Sequence, residues 1–187
     1  FNEDDYAAVM KLQFETAEKL RRSCEERAEE VWARCMKGIR SPTTKELEHV
    51  LATWKGKPNR DRNNASGGEF VESDAFGLVK PLNSGCGMVS KNALDYPYLT
   101  KVMNAWAKSI PGSDEVGWTT ITLNRNWAAH RHRYRNNVGL SMMVTLGQHQ
   151  GGELLHWPQD DGKVPIGELP WKDATMLFLT LRQQASL

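Results

Sequence analysis

Between residues 4 and 39, the apolar positions Met10, Phe14, Ala17, Cys24, Ala28, Val31 and Cys35 recur at alternating steps of four and three, which is the spacing of one narrow helical face. Arg21 interrupts the stripe. The stretch has no Pro, its first Gly is Gly38, and it is rich in Ala, Glu, Lys and Arg, so one long helix is predicted. Such a helix packs on its own domain or serves a coiled coil or partner; Ala and Cys are weak seam residues and favour the first. Ser41 and Pro42 end it, and Thr44 followed by Leu47, Val50, Leu51 and Trp54 predicts a short second helix. Residues 55–68 are polar and full of turn formers, which reads as a mobile linker. Residues 76–79 then read as a short strand, and residues 98–109 as a helix with Leu99, Val102, Met103 and Trp106 on one face.

From Gly117 the period becomes two. Thr119, Ile121 and Leu123 alternate with Thr120, Thr122 and Asn124, and Val138, Leu140, Met142, Val144 and Leu146 alternate with smaller or polar partners. Gly151 and Gly152 predict a turn into residues 153–157, and the apolar run 174–181 predicts a buried strand. Helices first and mostly strands from 117 to 181 predict an α+β fold whose strands form a sandwich or barrel. The expected organisation is a helical extension over residues 1–55, a linker over 56–69 and a β domain over 70–187.

Composition narrows this picture. A length of 187 residues fits one domain with an extension, and 40% apolar content argues against wholesale disorder. No apolar run approaches the roughly 20 residues of a membrane span, and no secretory signal is visible, so no membrane is expected. Cys24, Cys35 and Cys86 have no metal-type spacing and are odd in number, which predicts free thiols and an intracellular home, cytoplasmic or nuclear. The absence of an initiator Met and the abrupt end at Leu187 suggest a fragment.

The segment 124–139 is the most informative, N-R-N-W-A-A-H-R-H-R-Y-R-N-N-V-G. If it is extended, His130, His132 and Tyr134 share one face and Arg131, Arg133 and Arg135 the other. Two imidazoles spaced by two can reach one metal ion, the local geometry of an iron site built from two His and one carboxylate; an ordinary basic strand has the same spacing. The arginines, with Arg125 and no acid between Val116 and Gly152, form a basic patch for phosphates or a solvated strand face. His149 and His156 flank the Gly-Gly turn and read as loop residues, His49 as a helix-surface residue, and Asp160, Asp161 and Gly162 as a turn.

The run from Trp118 to Trp157 resembles the core of the 2-oxoglutarate/iron(II) oxygenases, in particular the branch with the ten-eleven translocation and J-binding proteins and a protist group. Its carriers are Asn124 and Asn126, His132 with Tyr134 two residues on, Asn137, Gly139 and Ser141, and Gly151, Gly152 and Leu154. The likeness covers about residues 70–157. It implies an incomplete double-stranded β-helix (jelly-roll) core, iron(II) and 2-oxoglutarate as cofactors, and hydroxylation of a nucleic-acid, protein or small-molecule substrate. It places the metal on His132, with His130 as a further candidate, and the cosubstrate near Asn124, Asn137 and Ser141. Tyr134 stands where the family has an Asp ligand, and no His follows His156 to supply the distal ligand and the Arg after it. The expected protein is therefore an oxygenase-like domain with an impaired metal site. The alternative is a non-catalytic module on the same fold, binding nucleic acid through Arg131, Arg133 and Arg135 or a partner through residues 4–39.

Overall fold

In the computed structural model the described residues are 3–56, 58–59, 71–80, 86–125, 129–133, 140–148 and 154–177. Helix α1 runs over Glu3–Gly38 and α2 over Thr44–Leu51. They are followed by strands β1 (Pro58–Asn59), β2 (Val71–Val79) and β3 (Met88–Val89), helices α3 (Lys91–Asp95) and α4 (Pro97–Lys108), and strands β4 (Thr120–Arg125), β5 (Leu154–His156) and β6 (Thr175–Leu177). The fold is mixed α+β.

The stripe of α1 is buried only from Arg21 onward. Cys24, Ala28, Val31 and Cys35 are inaccessible, whereas the side chains of residues 5–16 are all exposed. One core unites the C-terminal half of α1 with Leu47, Val50 and Trp54, with Phe76 of β2, and with Leu99, Val102, Met103 and Trp106 of α4. Trp54 meets Phe76 and Tyr96 edge-on at centroid distances of 5.5 and 5.1 Å. Residues 21–54, expected as an extension, thus share a core with the sheet. Burial raises the Cys24 thiol pKa to about 12, which keeps it an inert core residue.

Arg21 is 2% exposed, and its charge is met locally. It donates to Glu18 at 2.7 Å and to the Lys55 carbonyl at 3.1 Å, while Tyr96 Oη donates to the other Glu18 oxygen at 3.3 Å. One turn on, Glu25 accepts from the backbone amides of Tyr98 and Leu99 at 2.7 and 2.9 Å. Helix α4 has no capping side chain of its own at Tyr96, so a carboxylate from α1 satisfies its first amides. Burial nonetheless pushes the Glu25 carboxyl above its usual range, against the pull of those two amides.

Helix α1 ends in a Schellman turn. Arg40 N donates to Cys35 O at 3.0 Å and Ile39 N to Met36 O at 3.3 Å, with Ile39 left-handed at φ 50. A β-branched residue there is strained, and Ile39 is 94% exposed, so no packing compensates. Helix α2 opens with a capping box in which Thr43 Oγ1 accepts from Glu46 N and the Glu46 carboxylate accepts from Thr43 N. Arg40 forks onto the same carboxylate at 2.8 and 2.7 Å.

Strand β2 is the hub of the main sheet, pairing antiparallel with β1, β3 and β4. Its register with β4 sets Phe76 against Ile121, Asp74 against Leu123 and Ser73 against Asn124. One face, with Phe76, Ile121 and Leu123, meets the helices; the other carries Ser73, Ala75, Thr122 and Asn124. Asp74 is buried among apolar neighbours and accepts a hydrogen bond from the Asn92 amide at 3.2 Å. Gly77, at φ 113, lets the Thr119 carbonyl approach so closely that a Cβ would collide with it.

Two expectations are corrected. Residues 117–181 are not mostly strand: among the described residues only β4, β5 and β6 are, and single-turn 3₁₀ helices occur at Ile166–Glu168 and Trp171–Asp173. Residues 140–146 form no ladder, although Met142, Val144 and Leu146 do pack on the core as their alternation implied. Within the expected linker, Pro58 and Asn59 pair with β2; residues 57 and 60–70 lie outside the described residues. Strands β5 and β6 form a separate two-stranded sheet. No helix among the described residues is long and apolar enough to cross a membrane.

Two measurements check this account. Ile39→Gly relieves the left-handed strain against a smaller loss from unfolded-chain entropy, a net gain of about 1 kcal/mol. It should raise the melting temperature by about 2–4 °C. Hydrogen bonding by Arg40 lowers the Glu46 carboxyl to about 2 from its ordinary 4.5. Its folded value is depressed, so its contribution is full above about pH 4.5 and lost as pH falls toward 2. Denaturant titrations of Glu46→Gln should show a flatter decline over that window than the parent.

Candidate functional site

The candidate site follows directly from β4. The strand ends at Arg125, residues 126–128 lie outside the described residues, and residues 130–133 carry no regular hydrogen-bond ladder. His132 Nδ1 is 2.7 Å from the carbonyl oxygen of His130. A carbonyl only accepts, so Nδ1 carries the proton and donates it, and in the neutral ring the lone pair is then on Nε2. That Nε2 atom is buried. The metal-binding histidines of known centres are oriented in this way, with one ring nitrogen fixed by a carbonyl and the other turned to the ion. His130 is exposed, so the two imidazoles occupy different environments. Tyr134, Arg135 and Asn137 lie outside the described residues, as do His149 and the Gly151–Gly152 turn.

The remaining sequence candidates are placed as follows. Asn124 is exposed, and its Oδ1 accepts from Ser73 Oγ at 2.7 Å across the β2–β4 pair, on the sheet face away from the helices. Ser141 is exposed. His156 is exposed on β5 and His49 on α2. Among the described residues, no group of three or more His, Cys, Asp or Glu side chains is arranged to hold a metal ion.

The arginines read from sequence as a patch for phosphates or a solvated strand face make, where described, contacts with their own chain. Arg131 donates to the carbonyls of Ile166 and Leu169 at 3.1 and 2.6 Å and stacks over Trp171 and Trp157, with Cζ 4.1 and 4.9 Å from the ring centroids. Trp157 in turn donates to Pro170 O at 3.0 Å. Arg133 forks onto Asp160, both contacts at 2.6 Å, and donates to Val164 O at 2.6 Å. The guanidinium holds the Asp160 carboxyl below its usual range. Arg125 donates to Leu51 O at 2.9 Å and lies 3.9 Å from Glu72.

The contacts missed from sequence are those of Asp160, Trp157 and Trp171 with the two arginines. The Asp160–Asp161–Gly162 segment was read as a turn. Its first aspartate is also the counter-ion of a residue 27 positions upstream. No sequence signal linked the two; the one available hint was the pair of tryptophans beside an Arg-rich segment.

Comparison of the chain with protein-family models, with curated proteins and with solved structures gives no match.

Truncating Arg131 removes a partly buried guanidinium with two carbonyl bonds and an aromatic stack, a loss of about 1–3 kcal/mol. Arg131→Ala should lower the melting temperature and speed hydrogen exchange in residues 166–171. Arg131→Lys should restore little, because an ammonium lacks the planar fork and stacking face.

Proposed function

We propose that this chain carries the core of a 2-oxoglutarate/iron(II)-dependent dioxygenase-like domain, an incomplete double-stranded β-helix whose metal site is impaired. The observation that carries the reading is His132. It occupies the resembling motif's metal position, its Nδ1 is fixed by the His130 carbonyl, and its Nε2 is buried. The sheet face with Ser73, Thr122 and Asn124, turned away from the helices, supports it by presenting polar side chains on the strand that leads to that motif.

Iron(II), when bound in such a centre, supplies oxygen activation coupled to conversion of 2-oxoglutarate to succinate and carbon dioxide. The described residues meet this requirement in part: His132 is one oriented donor, and no three-donor cluster accompanies it. Tyr134 stands at the carboxylate position of the motif, and a phenol, with an ordinary pKa near ~10, is a poor substitute for a carboxylate. Fewer donors mean weaker metal retention.

The second reading is a binding module on the same fold. The exposed apolar residues Tyr6, Val9, Met10, Leu12 and Phe14 on α1 favour a helix-mediated partner. The internal commitments of Arg131 and Arg133 weigh against the nucleic-acid version.

Anaerobic reconstitution followed by iron analysis and a succinate assay tests the oxygenase reading. Residues 1–187 should retain less than one equivalent of iron and release no succinate above the metal-free control. Stoichiometric iron together with succinate formation would refute the impairment. Tyr134→Asp should tighten metal binding roughly tenfold. An unchanged affinity would remove Tyr134 from the ligand position.

A further inference from the structure

His132 lies between two arginines that both reach into residues 157–171. We propose that Arg131 and Arg133 are positioning residues for His132: by gripping that segment, they hold the backbone of residues 130–133 so that the His130 carbonyl meets the His132 ring.

Four features combine. Residues 130–133 have no strand ladder to fix them, so their backbone depends on side-chain anchors. Arg131 supplies one anchor through the Ile166 and Leu169 carbonyls and the two tryptophan faces. Arg133 supplies the other through the Asp160 fork and the Val164 carbonyl. The anchored segment has contacts of its own: Asp160 also accepts from Gly162 N at 3.0 Å, Leu169 is buried, and Trp157 donates to the Pro170 carbonyl. A planar, always charged guanidinium suits this task, since its several donors fix orientation as well as distance.

The chemical output is the choice of ring nitrogen. While the His130 carbonyl stays 2.7 Å from Nδ1, the proton resides there and Nε2 is kept as the lone-pair nitrogen. If either arginine lets go, the carbonyl drifts and the ring is free to adopt the other tautomer. Nε2–H cannot ligate a metal. The consequence for metal binding rests on the reading of His132 as a donor; the consequence for the tautomer does not.

The experiment is ¹⁵N NMR of the full chain with labelled histidine, at a pH where the imidazoles are neutral. His132 is assigned by His132→Gln, and cobalt(II) affinity and melting temperature are measured on the same samples. The parent should show His132 as the Nδ1–H tautomer. Arg133→Gln and Asp160→Asn should each move it toward Nε2–H and weaken cobalt(II) binding roughly tenfold, the usual scale for loss of an outer partner. The exchange Arg133→Asp with Asp160→Arg should restore the parent tautomer. Asp160→Asn keeps the side-chain shape and gives the same comparison if Arg133→Gln does not fold. A merely structural salt bridge would lower the melting temperature and leave the tautomer in place, which overturns the proposal; so does a parent that carries Nε2–H. A tautomer that responds while cobalt(II) affinity matches that of His132→Gln throughout upholds the positioning role and removes His132 as a metal donor.

Discussion

The carboxylate of Glu25 joins the two longest helices among the described residues. Helix α4 begins with amides that nothing in its own sequence satisfies, and Glu25 reaches across from α1 to accept two of them. Carboxylates at a helix N-terminus are favoured by the helix dipole as well as by the hydrogen bonds, and here both act in a partly buried setting. This contact sets the height of α4 along α1, and with it the position of Leu99, Val102 and Met103 against Cys24, Ala28 and Val31. The sheet packs on that pair of helices through Phe76, so the placement of β2, of β4 after it, and of residues 129–133 after β4 descends from one ionic cap.

The periodic parts of the molecule were legible in the sequence. The α4 face and the C-terminal part of the α1 stripe follow from burial on one side of a helix, which leaves a period near 3.6, and β4 from a period of two; Met10 and Phe14 continue the same α1 period yet are exposed. Met142, Val144 and Leu146 show the limit of that signal: they are partly buried against the core without a hydrogen-bonded neighbour strand, and Leu140, in the same alternation, is exposed. Strand β2 is longer than its apolar run because Ser73 and Asp74 are buried yet hydrogen-bonded, to Asn124 and Asn92 respectively. Helix α3 escaped notice because it is a single turn capped by Ser90.

The candidate site shows in sequence as a pair of histidines, and the contacts that support their segment do not show there. The resemblance singled out His132, whereas the Arg-x-Arg alternation around it reads as a surface for phosphates or a solvated strand face, because no acid lies nearby in sequence. The partners of both arginines come from residues 157–171, brought close by the fold. A charge pattern read along a chain counts neighbours in sequence; electrostatics counts neighbours in space.

The buried Arg21 has a consequence for how α1 sits. An unbroken stripe of small apolar residues would pack nearly as well if the helix slid by seven residues, since Ala17, Cys24 and Ala28 would then stand where Cys24, Val31 and Cys35 do. Arg21 breaks that degeneracy. Its guanidinium finds the Glu18 carboxylate along its own helix in any position, but the Lys55 carbonyl, and the tyrosine hydroxyl that completes the Glu18 shell, wait at one height only. Displaced by a heptad, the same charge would lie in the apolar interior with its bonds half made, at a cost of several kcal/mol. The interruption in the stripe thus works as an index mark, selecting a single alignment of a helix whose apolar face alone would allow several.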